Sequence, residues 1–513
     1  MNHNHITPGA PQRHARRRMA LADWFGLACL ILLVVCSVIL YVRLLSTAML
    51  TEGLLKLLVA GLIVLNVLVL IALLPRWRNK IPKLVAGVLS LIICGGMLYA
   101  VSAADTVQNA LMNISGKMSE QEITYIMVLK DDKAVEISDA LGYNFGSLTQ
   151  SDVANTTALL EAVKSGLGEM ENTTYDSIAE LVDALYAGEV DAIMLNEGYI
   201  GLLENMEEYS TFSDDTRTIY EFAFEKELEP IAPNPLITRE PFVVYCSGID
   251  SRTTNINIRS LSDVNIMAVV NPETRQVLLL NTPRDYYVPL VSPPYAGKMD
   301  KLTHAGALGI EESMKVLAQL YGVEGDYYMR VNFSGLIDIV DALGGVDVVS
   351  PKKFKTIAMT IPGYGKKSYS FEAGEIHLTG AEAVAFSRER KAFGDGDNQR
   401  GKNQMAVIKG IVDKATSPQI LSKYDELLKA VEGCFITNMP YEDISALVKM
   451  QLKDMRSWNI TTYAVSGTGD MQECASMPGW NLWVMQPNQK QVATAKAMVQ
   501  QVLNGEVPTL PGK

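Results

Sequence analysis

Three apolar runs stand out in the N-terminal part of the chain, at residues 24–41, 54–74 and 84–104. Each is about 20 residues long, enough for a helix to cross the roughly 30 Å hydrocarbon core of a bilayer. Asn66 interrupts the second run and several glycines the third, both of which spanning helices tolerate. A cleaved signal peptide would explain the first run alone, and the two that follow argue against it. After residue 104 the pattern turns polar, and 105–120 reads as a connector. ITYIMVL then reads as a strand and 156–164 as helix. Helical periodicity over 176–186 gives way after Gly188 to the strand DAIMLN. This βαβ-like module reads as a spacer or packing domain, and 238–241, after the proline-rich PIAPNP, as its exit linker.

A second alternating region begins at Phe242. FVVYCSGID is a strand running into a loop, and VNIMAVVNP and TRQVLLLNTPRD are strands joined through an Asn-Pro turn. DKLTHAGALGIEESMKVLAQLYG reads as a helix and YYMRVNFSGLIDIVDALGGVDVV as strand, helix and strand. EIHLTGAEAVAFSRER reads as a helix then a strand, and NQRGKNQMAVIKGIVDKA as a long helix. Residues 416–513, with the strand ITTYAVSG, extend the same domain. The expected class is α/β: three transmembrane helices, a small α/β accessory domain and an α/β/α sandwich with a mixed sheet. The expected boundaries are 1–23 (basic tail), 24–104 (anchor), 105–238 (accessory) and 239–513 (catalytic).

Charge orients this layout. Arg13, Arg16, Arg17 and Arg18 precede the first run, and Arg76, Arg78, Lys80 and Lys83 lie between the second and third. By the positive-inside rule both segments are cytoplasmic, so a multi-pass cell-membrane protein with everything after residue 104 outside the cell is expected. The 513-residue chain has formal net charge −12, and an acidic extracytoplasmic domain does not suit nucleic acid. Cys29, Cys36 and Cys94 fall in the apolar runs and Cys246 in a strand. Cys434 and Cys474 are left either as free thiols or as a pair.

Within so acidic a chain, FSRERKAFGDGDNQRGKNQ at 386–404 gathers Arg388, Arg390 and Arg400 with Asp397 and Gln404. Arginine is a planar, permanently charged fork that matches phosphate oxygens. Arg388 and Arg390, two apart, share one face of a strand. Arg400 and Gln404, four apart, share one face of a helix. Asp250, Asp263, Arg284, Asp285 and Lys301 fall at or near strand ends, where α/β sheets place ligands. Carboxylates among arginines suit a diphosphate with magnesium, or manganese in its place. Each residue has a plainer reading. Asp250 and Asp263 cap turns, Arg284 is a loop residue, and Lys301 and His304 sit at an exposed helix start, with His304 as a base the lesser alternative. GYGKKS at 363–368 lacks the spacing of a phosphate loop and reads as a solvated basic turn.

The ordered set GIDSR, SDVNIM, NTPRDYYVPL, DKLTHAGALG, YYMRVNFSGLIDIVDALGGVDV, LTGAEAVAFSRER and GDGDNQRGKNQ, over about residues 240–415, closely resembles the LytR-CpsA-Psr family. The three-helix anchor and the accessory domain are similar to its capsule-associated branch. The resemblance implies a magnesium-dependent phosphotransferase. Such an enzyme moves a glycopolymer, capsular or teichoic-acid-like, from an undecaprenyl-pyrophosphate carrier to peptidoglycan at the 6-hydroxyl of N-acetylmuramic acid. It implies the membrane and capsule or cell-wall synthesis proteins as further partners. By position, Asp250 and Asp263 would hold the metal. Arg284, Arg388, Arg390 and Arg400 would grip the pyrophosphate with Gln404 and Lys301 assisting, and Asp397 would orient the arginines or approach the metal. The family usually places its metal aspartate directly after Arg-Ser, whereas here Leu261 and Ser262 intervene. An apolar tunnel for the polyprenyl tail is implied around 331–345 and 405–412. The same residues would serve a polyprenyl-pyrophosphate hydrolase, or a membrane regulator of cell-wall or capsule synthesis that binds the lipid without turning it over.

Overall fold

The computed structural model describes residues 21–46, 52–73, 81–116, 119–150, 152–168, 170–249, 255–418 and 433–510. The chain divides into two compact units, Met1–Gln108 and Asn109–Lys513.

Helices α1 (Leu21–Ser46), α2 (Glu52–Leu73) and α3 (Ile81–Ile114) each contain a stretch long and apolar enough to cross a membrane. Leu33, Cys36, Cys94 and Met97 pack among them. The Asn66 amide nitrogen is satisfied among the helices, Nδ2 donating to Leu62 O at 2.8 Å and to Ser37 Oγ at 3.1 Å, while Oδ1 has no hydrogen-bond partner among the described residues. Helix α3 continues to Ile114, through the segment expected as connector. Its AADTVQNALM is polar but rich in good helix formers, so polarity there marks a solvated helix face.

In the second unit a five-stranded sheet is built from β1 (Ser119–Leu129), β2 (Asn144–Leu148), β3 (Glu171–Tyr175), β4 (Ala192–Asn196) and β5 (Thr216–Glu227), in the order β3-β2-β4-β1-β5. Strand β2 runs parallel to β3 and β4, while β1 lies antiparallel between β4 and β5. Helix α4 (Glu197–Glu204) follows β4 directly, capped by Asn196, whose side chain accepts from Gly198 N.

The larger sheet comprises β6 (Phe242–Ile249), β7 (Ser262–Asn271), β8 (Gln276–Asn281), β9 (Tyr327–Asn332), β10 (Phe435–Thr437) and β11 (Asn459–Ala464), ordered β10-β9-β6-β7-β8-β11. It is mixed: β6–β7–β8 form an antiparallel meander, β9 runs parallel to β6, and β11 parallel to β8. Period-two alternation feeds two cores. Met267, Val269, Leu278 and Leu280 pack with α5 (Ile310–Tyr321) and with the C-terminal helix Gln489–Leu503. Ile266, Ala268, Val277 and Leu279 pack on Met405 from the opposite side. Every strand segment between helices is therefore buried on both faces, which is the α/β/α sandwich, and why these strands read as continuous apolar runs.

Local readings change in two places. The helix expected over 300–322 is broken at Gly309, whose φ of +127° separates Leu302–Ala307 from α5. EIHLTGAEAVAFSRER is a strand (Gly374–Leu378) followed by a helix, the reverse of the expected order. Helices α6 (Phe333–Ala342), α7 (Gly380–Arg388) and α8 (Asp397–Ala415) surround the phenylalanines 354, 371 and 386 in a third core.

Candidate active site

The site begins where β8 ends. Arg284 lies just past Asn281-Thr282-Pro283, and its backbone is pinned by Thr303 N donating to Arg284 O at 2.7 Å. Its Nη1 donates to Asp263 Oδ1 at 2.6 Å, from the second residue of β7. Its Nε stands 3.5 Å from Asp285 Oδ2, and Lys301 Nζ stands 3.5 Å from Asp285 Oδ1. Asp285 thus sits between two cations. Burial works against the Arg284 charge, but Asp263, Asp285 and Asp397 outweigh it and hold the guanidinium above its ordinary pKa.

Helix α8 supplies the facing group. In its first turn Asp397 Oδ1 pairs with Arg400 Nη2 at 2.6 Å. Burial lowers the Arg400 pKa; Asp397 opposes that, while Arg284 and Arg390 press it further down. Burial is the larger cause of this shift, and the part that comes from Arg284 and Arg390 is positive charge that a bound polyanion would relieve. The close approach of α8 depends on Gly401, where a Cβ would fall 2.1 Å from Asn281 Oδ1. One turn below Arg400, buried Gln404 accepts from Asn281 Nδ2 at 3.4 Å.

Arg388 and Arg390 do not share a strand face. Thr379 and Glu382 form a capping box, Thr379 N donating to Glu382 Oε2 at 2.9 Å, and the helix so started ends at Arg388. Arg388 lays its guanidinium 4.3 Å from the Phe333 ring centroid and donates to Thr360 O at 3.1 Å. Arg390 is exposed, two residues on in extended chain. Between them Glu389 is buried and spends both oxygens on the backbone, accepting from Ile357 N at 3.0 Å and Ala392 N at 2.9 Å.

An apolar cavity of about 280 Å³ lies beneath this cluster. Cys246 and Val264 line it from the sheet, Phe333 and Ile339 from α6, and Val407 and Ile411 from α8. These are the segments named for a tunnel. Gln404 and Ser387 are among its few polar lining residues. Residues of α8 therefore reach the charged cluster through Arg400 and the cavity through Gln404, a helical turn apart.

Asp250 lies outside the described residues. Asp263 and Asp397 each commit Oδ1 to an arginine, leaving hard carboxylate oxygens of the type magnesium prefers. His304 is not at an exposed helix start. It is buried, its Nδ1 2.7 Å from Asp300 Oδ1 and 3.0 Å from Ser476 Oγ. Asp300 also accepts from Lys301 N and Ser476 N, both at 2.7 Å. Burial opposes the Asp300 charge, yet His304 and these donors hold its carboxyl below the usual range. The group ties the C-terminal hairpin (Gly467–Cys474 with Met477–Pro487) to the domain, and occupies the imidazole structurally. Cys434 and Cys474 are both free thiols, the first near Asp338 and the second near Asp300, so no bond joins them. The basic turn at 363–368 contains an exposed strand, Gly365–Lys367, paired with Met359–Ile361.

The sequence model of the LytR_cpsA_psr family matches residues 205–499. The chain is 34% identical over 206 residues to the polyisoprenyl-teichoic acid–peptidoglycan teichoic acid transferase TagU of Bacillus licheniformis, covering 40% of this chain and 62% of that protein. It is 33% identical over 244 residues to the protein of the same name from Enterococcus faecalis, covering 47% and 75%. Among solved structures, B. subtilis TagU aligns at 27% identity and a TM-score of 0.38, over 53% of this chain and 99% of its own.

Proposed function

The chain belongs to the LytR_cpsA_psr family, and from that premise we propose that it is a phosphotransferase moving a glycopolymer from a polyprenyl-diphosphate carrier to peptidoglycan. The activity named for its TagU relatives supports this reading. The observation that carries it is the junction at Gln404, where the apolar cavity meets the cluster of Arg284, Asp397 and Arg400. A polyprenyl diphosphate has the same two halves, an apolar tail joined to a multiply charged head.

In this reading the tail lies between the sheet, α6 and α8, and the diphosphate lies among Arg284, Arg388, Arg390 and Arg400. An acceptor hydroxyl oxygen attacks the sugar-proximal phosphorus. The bond from that phosphorus to the bridging oxygen breaks, polyprenyl phosphate leaves, and the hydroxyl proton passes to solvent. Charge grows on the bridging oxygen, and guanidinium groups already fixed by carboxylates stabilise it without reorganising. Asp285 keeps Arg284 and Lys301 directed at the site. Asp263, with Asp250 and Asp397 as further oxygen donors, would hold magnesium or manganese, which would neutralise part of the diphosphate charge. Helices α1–α3 anchor the protein in the membrane, and the basic residues around them favour an extracytoplasmic catalytic unit.

The test uses the full chain in detergent with a radiolabelled lipid-linked donor and peptidoglycan. Label on peptidoglycan is the expected result. Label released as free sugar phosphate would make the protein a hydrolase, and donor bound but unreacted would make it a lipid-binding regulator.

A further inference from the structure

On β7, Val264 pairs with Gly248 and Ser262 with Ile249, so Asp263 is the extra residue of a β-bulge, a device that re-aims a side chain. Val264 lines the apolar cavity, whereas Asp263 and Arg284 line a separate polar cleft of about 590 Å³. That volume falls in the roughly 300–1,000 Å³ range of small-ligand sites. The far wall of the cleft comes from the accessory sheet and its helix: Tyr125 on β1, Glu197 on α4, and the exposed Asn205, Ser210 and Ser213 just beyond.

The two walls are held in fixed relation. Arg259 pairs with Asp152 at 2.6 Å and with Glu122, and fully buried Arg330 pairs with Glu120 at 3.1 Å. Gln121 N donates to Asn257 O at 2.9 Å. Helix α4 presses close through two glycines three residues apart: a Cβ at Gly198 would lie 3.0 Å from Ala307 O, and one at Gly201 3.2 Å from Leu261 Cδ1. A module serving merely as a spacer does not need so close a fit beside reactive groups.

The lining indicates what the cleft takes. Both arginines on its wall are already neutralised, Arg284 by Asp263 and Asp285, and Arg259 by Asp152 and Glu122. Glu204 adds negative charge, and Glu197 does so as pH rises past about 7, so a second polyanion is disfavoured. Hydroxyl, amide and carboxylate groups beside one aromatic ring suit a neutral polyhydroxylated ligand. Glu197 Oε2 is buried without a hydrogen-bond partner, an acceptor whose desolvation a ligand hydroxyl would offset. Burial, and secondarily Glu221, pushes the Glu197 carboxyl up to about 7.

We infer that the accessory domain forms half of a carbohydrate subsite, in which a sugar unit lies between Glu197, Asn205 and Ser213 on one side and the Asp263–Arg284 pair on the other. This rests on the phosphotransferase reading and adds to it the place where a sugar is held. The sugar belongs either to the donor polymer or to the acceptor glycan, and the test separates the two.

Full-length protein in detergent is titrated calorimetrically with farnesyl diphosphate, with farnesyl-diphospho-N-acetylglucosamine, and with the disaccharide N-acetylglucosaminyl-N-acetylmuramic acid. Ser213→Trp and Asn205→Trp, both on the exposed rim, obstruct the cleft, and unfolding midpoints check the fold. The variants are expected to weaken one sugar ligand at least about tenfold while leaving farnesyl diphosphate unchanged. Loss confined to the lipid-linked sugar assigns the cleft to the donor, and loss confined to the disaccharide assigns it to the acceptor. Unchanged sugar affinities in both variants, or a wild type that gains nothing from either sugar, would overturn the inference. Failure of farnesyl diphosphate to bind the wild type would instead count against the phosphotransferase reading, while the disaccharide arm would still report on the cleft.

Discussion

Ile411→Trp tests whether the apolar cavity holds the lipid tail. Ile411 lines the cavity from α8 and is only part-buried, so an indole can enter the space without displacing the sheet. Tryptophan adds about six side-chain heavy atoms to isoleucine's, close to the roughly five carbons of one isoprene unit. At about 0.8 kcal/mol per buried methylene, excluding one unit costs about 4 kcal/mol. Partial rerouting of the tail brings this to about 2–4 kcal/mol, or about 30- to 1,000-fold in donor KM. Overpacking costs about 1–3 kcal/mol of stability, which an unfolding midpoint reports separately. The assay is transfer from donors that differ only in prenyl length. Wild-type protein should favour longer tails until the cavity of about 280 Å³ is full, and the variant should plateau about one unit earlier. A folded variant with the wild-type length profile would show that the tail binds elsewhere.

Arg284→Ala leaves Asp263 and Asp285 without their shared guanidinium, and should lower kcat by about 10²–10³ in steady-state transfer assays. Arg284→Lys should recover only part of this, because an ammonium cannot reproduce the fork. Chelation should abolish transfer and added magnesium should restore it; full activity after exhaustive chelation would remove the metal from the mechanism. Glu197 gives a pH signature by calorimetry. Its folded pKa of about 7 exceeds the ordinary glutamate value of 4.5, so between these values the native state keeps a proton that the unfolded chain has lost, and stability falls as pH rises through that window. The ceiling is about 3 kcal/mol, reduced by solvent screening, and Glu197→Gln should remove this slope.

How far the sequence revealed this site depends on which interactions define each element. FVVYCSGI, VNIMAVV and QVLLL are strands because helices cover both faces of the sheet, and continuous apolar runs record that directly. AVAF, inside the segment expected as a strand, is also apolar but lies in the helix Gly380–Arg388. The deciding signal, the Thr379-Gly-Ala-Glu382 box, was legible and outweighs periodicity in so short a segment. The arginines stand out because their chemistry is conspicuous in an acidic chain, although the two-residue spacing of Arg388 and Arg390 implied the wrong shared face. His304 was misplaced because its burial depends on Ser476, 172 positions away, which no local pattern reports. The cleft was out of reach for the same reason: Glu197 and Asp263 line one space only because two different sheets pack together.

The pleat of β7 also bears on how such a site tolerates insertion. Because adjacent side chains on this strand serve an oily chamber and a watery one, sliding the ribbon by a single position would exchange solvents for every group along it. A change of two positions restores the original assignment. Ahead of the strand that alternation does not hold, since Arg259, Ser260 and Leu261 border the same wet chamber as Asp263. A single extra residue is nevertheless absorbed here: β7 bulges between its pairings Ser262–Ile249 and Val264–Gly248, which leaves Asp263 unpaired on the wet side while Val264 stays in the oily chamber, so an odd increment ahead of this carboxylate need not turn the strand over.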